Sequence, residues 1–303
     1  MKIEALKTPT ERFQSISDFP YSENYYTLGD GLDIHYVDVN SSEKNVVVLL
    51  HGEPSWSYLY RKMIPVFAQK GFRVVVPDLI GFGKSDKPIH QKDYTYQRHL
   101  DWIRELLFDH LDLKNINLFV QDWGGLIGLR LVAEQGDRFQ TVTAANTFLP
   151  TGQQPPNDAF KKWQDYSKKA DPFPVGQIIQ RATVSELSDE VVAAYDAPFP
   201  DESFKAGAKI FPSLVPTTPD DPQSIPNQQA WASLSKFEKP FLTLFSDKDP
   251  IMTGLDKFLH QLIPGCKGQP HSTTEGAGHF LQEEKGEEIA NKMIDWFIGL
   301  KML

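Results

Sequence analysis

Short, nearly continuous apolar runs alternate with stretches of helical periodicity along the first half of the chain. Residues 45–50 read as a buried strand, 57–70 as a helix, 72–76 as a second strand and 97–111 as a second helix. The run Ile116-Asn117-Leu118-Phe119-Val120 predicts a third strand, residues 126–133 a helix directly after it, and Phe139–Ala145 a fourth strand. Apolar runs without polar alternation suit strands buried on both faces, and strands alternating with helices imply a mostly parallel sheet flanked by helices. From 150 to 227 the pattern breaks. Prolines at 155, 156, 172, 174, 198, 200, 212, 216, 219, 222 and 226 cut the stretch into short helices and loops, which predicts an inserted helical lid. Alternation resumes with a strand at 241–245, a helix at 255–262, a strand near 270–274 and an amphipathic helix at 284–300. The expected organisation is a core of residues 1–149 and 228–303 with a helical cap of 150–227 between its halves.

Composition narrows the function. With 303 residues, 40% of them hydrophobic, the chain can bury a large core. Forty acidic against 31 basic residues give a net charge of -9, which argues against a nucleic-acid partner and favours a small or neutral ligand. Cys266 is the one cysteine, so no intramolecular disulfide forms, and no Cys/His spacing suggests zinc. We expect neither metal nor cofactor. The N-terminal stretch from Met1 to Pro9 lacks the apolar core of a signal peptide, and no run reaches transmembrane length. A monomeric cytoplasmic protein with no membrane partner is the expectation.

The candidate chemistry lies at the third strand. Gln121-Asp122-Trp123-Gly124-Gly125 occupies a strand-to-helix turn where a serine nucleophile, in the pattern G-x-S-x-G, is often exposed. Here Val120 stands for the first glycine and Asp122 for the serine. A carboxylate displacing a leaving group from saturated carbon forms an ester, which histidine-activated water can hydrolyse; a serine would be left as an inert ether. The alternative is an aspartate that merely caps the following helix.

A base, its orienting acid and oxyanion donors are then required. Among eight histidines, His279 alone lies in a glycine-bracketed loop after a late strand, in Glu275-Gly276-Ala277-Gly278-His279-Phe280. The chain order nucleophile, acid, histidine places the base there. The other histidines read as ordinary surface or core residues, with His51 a loop scaffold. Ser246-Asp247-Lys248-Asp249-Pro250-Ile251 offers two carboxylates; Asp249 is the chosen acid and Asp247 the alternative, a turn former. The backbone N–H groups of Trp123 and Glu53 are the expected oxyanion donors.

Together with His51-Gly52-Glu53-Pro54-Ser55-Trp56, Asp78-Leu79-Ile80-Gly81-Phe82-Gly83-Lys84-Ser85-Asp86 and Gly278-His279-Phe280, the elbow resembles the haloalkane dehalogenases of the α/β-hydrolase fold. The likeness runs essentially end to end, through Tyr58-Leu59-Tyr60-Arg61-Lys62-Met63-Ile64-Pro65 and the lid segment Tyr195-Asp196-Ala197-Pro198-Phe199-Pro200. It implies an α/β-hydrolase core under a helical lid and hydrolysis of small terminal chloro- and bromoalkanes to alcohol, halide and proton, with water as co-substrate and no cofactor. It also implies that Trp123 and Trp163 bind the departing halide ion through their indole N–H groups, and that Phe199 and Pro200 line the substrate pocket. The subfamily resembled carries its acid after the strand that follows the lid, in keeping with Asp249 and with Asn146, which is no carboxylate, before the lid. Two other readings stay open: an epoxide hydrolase using lid tyrosines such as Tyr166 and Tyr195 as acids, and a non-catalytic ligand receptor on the same fold.

Overall fold

The structure, a computed structural model, describes residues 3–302; Met1 and Lys2, the head of the stretch read for targeting character, and Leu303 lie outside the described residues. Its strands are β1 (Ala5–Leu6), β2 (Asn24–Thr27), β3 (Asp33–Val39), β4 (Val46–Leu50), β5 (Arg73–Pro77), β6 (Lys87–Pro88), β7 (Ile116–Gln121), β8 (Phe139–Ala145) and β9 (Phe241–Thr243). Seven of them form one sheet in the order β2-β3-β5-β4-β7-β8-β9, and β1 pairs with β6 apart from it. The pairs β5–β4, β4–β7, β7–β8 and β8–β9 are parallel. Every residue of β4 and β7 is buried, as their unbroken apolar runs require.

Three features depart from the sequence pattern. The antiparallel hairpin of β2 and β3 extends the sheet at its edge; half of β2 is exposed, so its apolar signal is weak. The expected helix at 57–70 is split into a 3₁₀ turn, Ser57–Tyr60, and α1 (Ile64–Gln69), with all four turn side chains drawn into the core. Residues 270–274 lie beside β9 and the chain leaving it, with backbone bonds from Ser272 N–H to Thr243 O at 3.3 Å and from Thr274 N–H to Phe245 O at 2.8 Å, but form only one isolated bridge, Ser246 to Thr274. There the Thr243 N–H turns to the His271 imidazole at 3.1 Å instead of a ladder carbonyl.

The other helices are α2 (Tyr96–Arg104), which continues as a π-helical stretch Glu105–His110, α3 (Trp123–Glu134), α4 (Asp158–Lys169), α5 (Val175–Ala182), α6 (Asp189–Asp196), α7 (Ala206–Leu214), α8 (Ser224–Leu234), α9 (Asp256–Leu262) and α10 (Leu281–Gly299). Helices α4 to α8 fill the connection between β8 and β9. The boundary expected after residue 227 falls one turn into α8. That helix is tied to the core, since Arg130 of α3 donates to Asn227 at 2.9 Å and Trp231 donates to Leu149 O at 2.8 Å. Among the described residues no helix is long and apolar enough to cross a membrane.

A buried ionic cluster joins core and inserted segment. Glu283, 1% exposed, accepts both terminal nitrogens of Arg61 at 2.5 and 2.7 Å, together with the Lys62 ammonium and the Tyr195 hydroxyl of α6 at 2.5 Å. Removing the carboxylate leaves the buried Arg61 with only the half-exposed Asp18 carboxylate, on its Nε at 2.7 Å, as an ionic partner. Glu283→Ala is therefore expected to lower the unfolding free energy in urea by about 3–5 kcal/mol, and Tyr195→Phe, which deletes one donor, by about 1.5–3 kcal/mol. A loss below about 1 kcal/mol for Glu283→Ala, the scale of an exposed pair, would show that the cluster holds nothing together.

Candidate active site

Asp122 sits between the last residue of β7 and the first of α3 with φ 49° and ψ -126°. A side chain in this left-handed region is strained unless its surroundings impose the conformation. Here they do. A Cβ on Gly124 would lie 2.0 Å from Leu50 O, and one on Gly125 would lie 1.9 Å from Thr147 Oγ1, so both glycines are demanded by close packing against the ends of β4 and β8. The Asp122 N–H donates to Asn146 O at 3.1 Å and its carbonyl accepts from Thr147 Oγ1 at 2.8 Å. Its side chain makes no capping hydrogen bond to α3, which removes the helix-cap reading.

Instead the carboxylate is shared between a backbone amide and an imidazole. Oδ1 accepts from the Glu53 N–H at 2.8 Å, and Oδ2 lies 3.4 Å from His279 Nε2. His279 Nδ1 meets Asp249 Oδ2 at 2.6 Å, and Asp249, wholly buried, fixes its other oxygen on the N–H groups of Ile251 and Met252 at 2.8 and 3.2 Å. Asp247 faces elsewhere: it accepts from Gly276 N–H at 2.7 Å and pairs with Lys248. Of the two carboxylates, Asp249 is the one on the histidine. Asn146 supports the ensemble, donating to Ser246 Oγ, Gly278 O and His279 O at 2.7, 3.0 and 3.2 Å. The Trp123 N–H belongs to the first turn of α3, whose amides have no acceptor within the helix.

Electrostatics divide the ionisable groups. Burial opposes charge on His279, but the Asp249 carboxylate beside it and the hydrogen bond toward Asp122 prevail and push it up to about 10. Burial opposes ionisation of Asp249 too, and the His279 partner outweighs it, holding the carboxyl below its ordinary value. Burial, reinforced by the Asp122 charge, drives Glu53 well above the carboxylate range, favouring the neutral form of its buried carboxyl. Its Oε1 has no hydrogen-bond partner among the described residues. The Gln121 amide nitrogen lies 3.0 Å from His279 Nε2 and 3.1 Å from His279 O. The carbonyl fixes the amide's orientation, and an N–H aimed at Nε2 favours imidazole with its lone pair there. The carboxylates favour the cation and Gln121 the neutral base, so the balance turns on the charge of Asp122. The sequence signals neither Glu53's protonation nor Gln121's contact, since both depend on what folds against them.

A cavity of about 930 Å³ opens over Asp122, Trp123 and His279 and is walled largely by apolar side chains, among them Leu126, Phe148, Phe160, Ile178, Val215 and Met252. Trp163 of α4 also lines it. Of six tryptophans, Trp56, Trp102, Trp231 and Trp296 donate their indole N–H to protein oxygens. Among the described residues no hydrogen-bond acceptor lies on the indole nitrogen of Trp123 or of Trp163. Phe199 and Pro200 do not line the cavity, which corrects their expected place. The turn after α6, closed by Phe199 N–H to Asp196 O at 3.0 Å, points Phe199 into the core against Phe82, while the neighbouring Pro198 O accepts from Thr8. Among the described residues no group of three or more His, Cys, Asp or Glu is placed to hold a metal ion.

Comparison with known proteins sets this geometry in context. The profile of a family described as the alpha/beta hydrolase fold matches residues 45–286. A haloalkane dehalogenase of Psychrobacter cryohalolentis is 53% identical, covering 98% of this chain and 98% of its own. One from Mycolicibacterium paratuberculosis is 47% identical over 97% of this chain and 98% of that one. The tetrameric structure of a haloalkane dehalogenase from Paraglaciecola agarilytica superposes with a TM-score of 0.88 at 38% identity, covering 96% of this chain and 97% of that one.

The charge balance at His279 can be measured. Asp122→Asn removes the carboxylate charge while keeping the shape, as ester formation would. Nuclear magnetic resonance of the imidazole should find His279 titrating lower in the variant than in the wild type, because an anion that favours the cation is gone. The sign for stability follows: a histidine raised from 6.5 to about 10 contributes stability that is full below pH 6.5 and lost as pH rises through about 10. An unchanged His279 titration in Asp122→Asn would mean that Asp122 does not set it.

Proposed function

The chain belongs to the haloalkane dehalogenases of the α/β-hydrolase fold, and from that premise we propose that it hydrolyses haloalkanes with Asp122 as nucleophile, His279 as base and Asp249 as orienting acid. The observation that carries the reading is a carboxylate at the elbow, between His279 and the Glu53 N–H, facing a cavity with two unpartnered indole donors. Residues 150–227 act as the cap over that cavity.

In the first step an Asp122 oxygen attacks the carbon bearing the halogen from behind. A carbon–oxygen bond forms, the carbon–halogen bond breaks, and halide leaves with its electron pair toward the Trp123 and Trp163 N–H groups. Indole donates without accepting and is wrapped in apolar surface, which suits a weakly hydrated anion. Esterification removes the Asp122 charge, so His279 loses one of the groups that favours its cation and becomes the base. It then takes a proton from water, whose oxygen adds to the Asp122 carbonyl carbon. The Glu53 and Trp123 N–H groups stabilise the oxyanion, which collapses as the His279 cation returns its proton to the departing alkoxide, giving alcohol and an Asp122 carboxyl that releases its proton to become carboxylate again. The neutral Glu53 carboxyl, a donor as well as an acceptor, is placed to hold that water. The cavity has room for alkyl chains well beyond two carbons, along the outer wall of Phe148, Trp231 and Phe258. Since all these groups come from one chain, a monomer suffices for the chemistry, although the Paraglaciecola relative is described as a tetramer.

The epoxide-hydrolase alternative needs lid hydroxyls free to protonate an alkoxide. Tyr195 is unsuitable, because it is fully buried with its hydroxyl on Glu283. Tyr166 does line the cavity, so it is the residue to test against Trp163. A receptor has no need for the complete nucleophile, base and acid contacts found here.

Two measurements decide these points. With 1,2-dibromoethane, His279→Gln should accumulate a covalent adduct on the enzyme by intact mass, and Asp122→Ala should form none; an adduct persisting in Asp122→Ala would remove Asp122 from its role. For the halide site, Trp163→Phe keeps most of the apolar surface but loses a donor to an anion. Bromide affinity and carbon–halogen cleavage should then fall together by about one to two decades, the equivalent of roughly 1.5–3 kcal/mol. Unchanged dehalogenation in Trp163→Phe, with Tyr166→Phe abolishing the opening of styrene oxide, would favour the epoxide-hydrolase reading.

A further inference from the structure

One carboxylate outside the reacting groups binds the loop carrying His279 to the inserted segment above it. Glu284 lies in the first turn of α10, one residue before a break in that helix at Lys285, where φ is -131° and ψ 25°. Its Oε2 accepts from the Gly278 N–H at 2.6 Å, and its Oε1 accepts from the N–H groups of Val184 and Ser185 at 2.8 and 2.6 Å. Three backbone donors from two remote segments thus converge on one side chain. The same segments touch directly, for the His279 N–H donates to Ala182 O at 2.7 Å. They approach so closely that a Cβ on Gly278 would lie 2.3 Å from Ala182 O.

We propose that Glu284 is a positioning residue that clasps the segment after α5 to the 276–279 loop and thereby holds the His279 imidazole over the Asp122 ester. The proposal rests on the reading of His279 as the base of ester hydrolysis. The physical case is one of competition with water. Val184 and Ser185 are exposed, so their N–H groups would otherwise face solvent, and a charged acceptor gives hydrogen bonds roughly twice as strong as neutral ones. Ala182, Thr183 and Val184 line the cavity alongside Gly278 and His279. A shift of the segment after α5 therefore carries the base with it unless the clasp resists. Nδ1 has its own anchor in Asp249 and the loop's carbonyls are held from the core by Asn146 and Gln121, whereas the N–H groups of Gly278 and His279 are held by Glu284 of α10 and by Ala182 O. Alkylation needs no histidine; hydrolysis does. Loosening the clasp should therefore act on the second step alone.

The test separates the two steps by single-turnover reaction with 1,2-dibromoethane, quenched and read by intact mass. Glu284→Ala should hydrolyse the ester about 10- to 100-fold more slowly, the scale of a misplacement near 1 Å, while alkylating at the wild-type rate, so that ester accumulates. Glu284→Gln keeps one carbonyl acceptor and should recover part of the loss. Ser185→Pro, which deletes a single N–H on the cap side, should shift the ratio of steps the same way. Melting curves establish that each variant is folded, and if Glu284→Ala is not, Glu284→Gln and Ser185→Pro carry the test. A wild-type ratio of the two rates in folded variants, or an equal loss in both steps, overturns the proposal. The underlying reading fails separately, if His279→Gln itself accumulates no adduct.

Discussion

Asp122 keeps φ at 49° because strands and loops on every side leave its backbone no other path. β7 lies between β4 and β8, and the elbow emerges where the carboxyl ends of these parallel strands meet. Leu50 O fills the place of a side chain at Gly124, Thr147 that of one at Gly125, and the Asp122 side chain that of one at Gly52. A strained conformation of this kind costs about 1–3 kcal/mol and persists only when the surroundings over-determine it. The return is positional. The carboxylate stands at the top of the sheet, and the loops after β4, β8 and β9 bring Glu53, Asn146 and Asp249 around it.

Crowding three carboxyls around one imidazole in an apolar cavity would fail if all ionised independently. Their partners set Glu53 and Asp249 apart. Glu53, without a cation in contact, is pushed well above the carboxylate range by burial and by Asp122; Asp249, with two amides and an imidazole, is held below its ordinary value. His279 is raised chiefly by the Asp249 carboxylate and further by Asp122, so its state depends in part on the charge of Asp122. In the proposed mechanism, a site built this way would alter the state of its base when Asp122 is esterified. No moving part is required.

Much of this was legible in the sequence because it is local or strictly ordered along the chain. Buried parallel strands are continuous apolar runs, the elbow is five residues, and the acid and base follow strands in a fixed order. The β2–β3 hairpin escaped because a half-exposed edge strand has little apolar pattern. The strand expected at 270–274 is reduced to one bridge, since His271 takes the Thr243 amide that a longer ladder would need. Phe199 and Pro200 were placed by likeness of the lid segment, and a turn after α6 rotates that segment into the core. Contacts between residues far apart in sequence, such as Arg61 with Glu283 or Glu284 with Val184, leave no trace in spacing.

The choice of chemistry is made by which donors the fold leaves unpaired. A lid rich in aromatic residues contains both tyrosine hydroxyls, which can give up a proton, and indoles, which only lend one. The ionic cluster at Glu283 takes Tyr195 out of contention, while Ala194 O and Leu149 O occupy the N–H groups of Trp56 and Trp231. Trp123 and Trp163 retain theirs on the cavity wall, one fixed at the elbow and one on α4. In the proposed reaction, an anion leaving carbon would meet these indole donors, which stabilise it without protonating it, with the lid tyrosine Tyr166 also on the cavity wall. Halide, already a weak base, needs no more, whereas an alkoxide would. On the proposed reading, the hydrogen bonds that stabilise the core also select the leaving group.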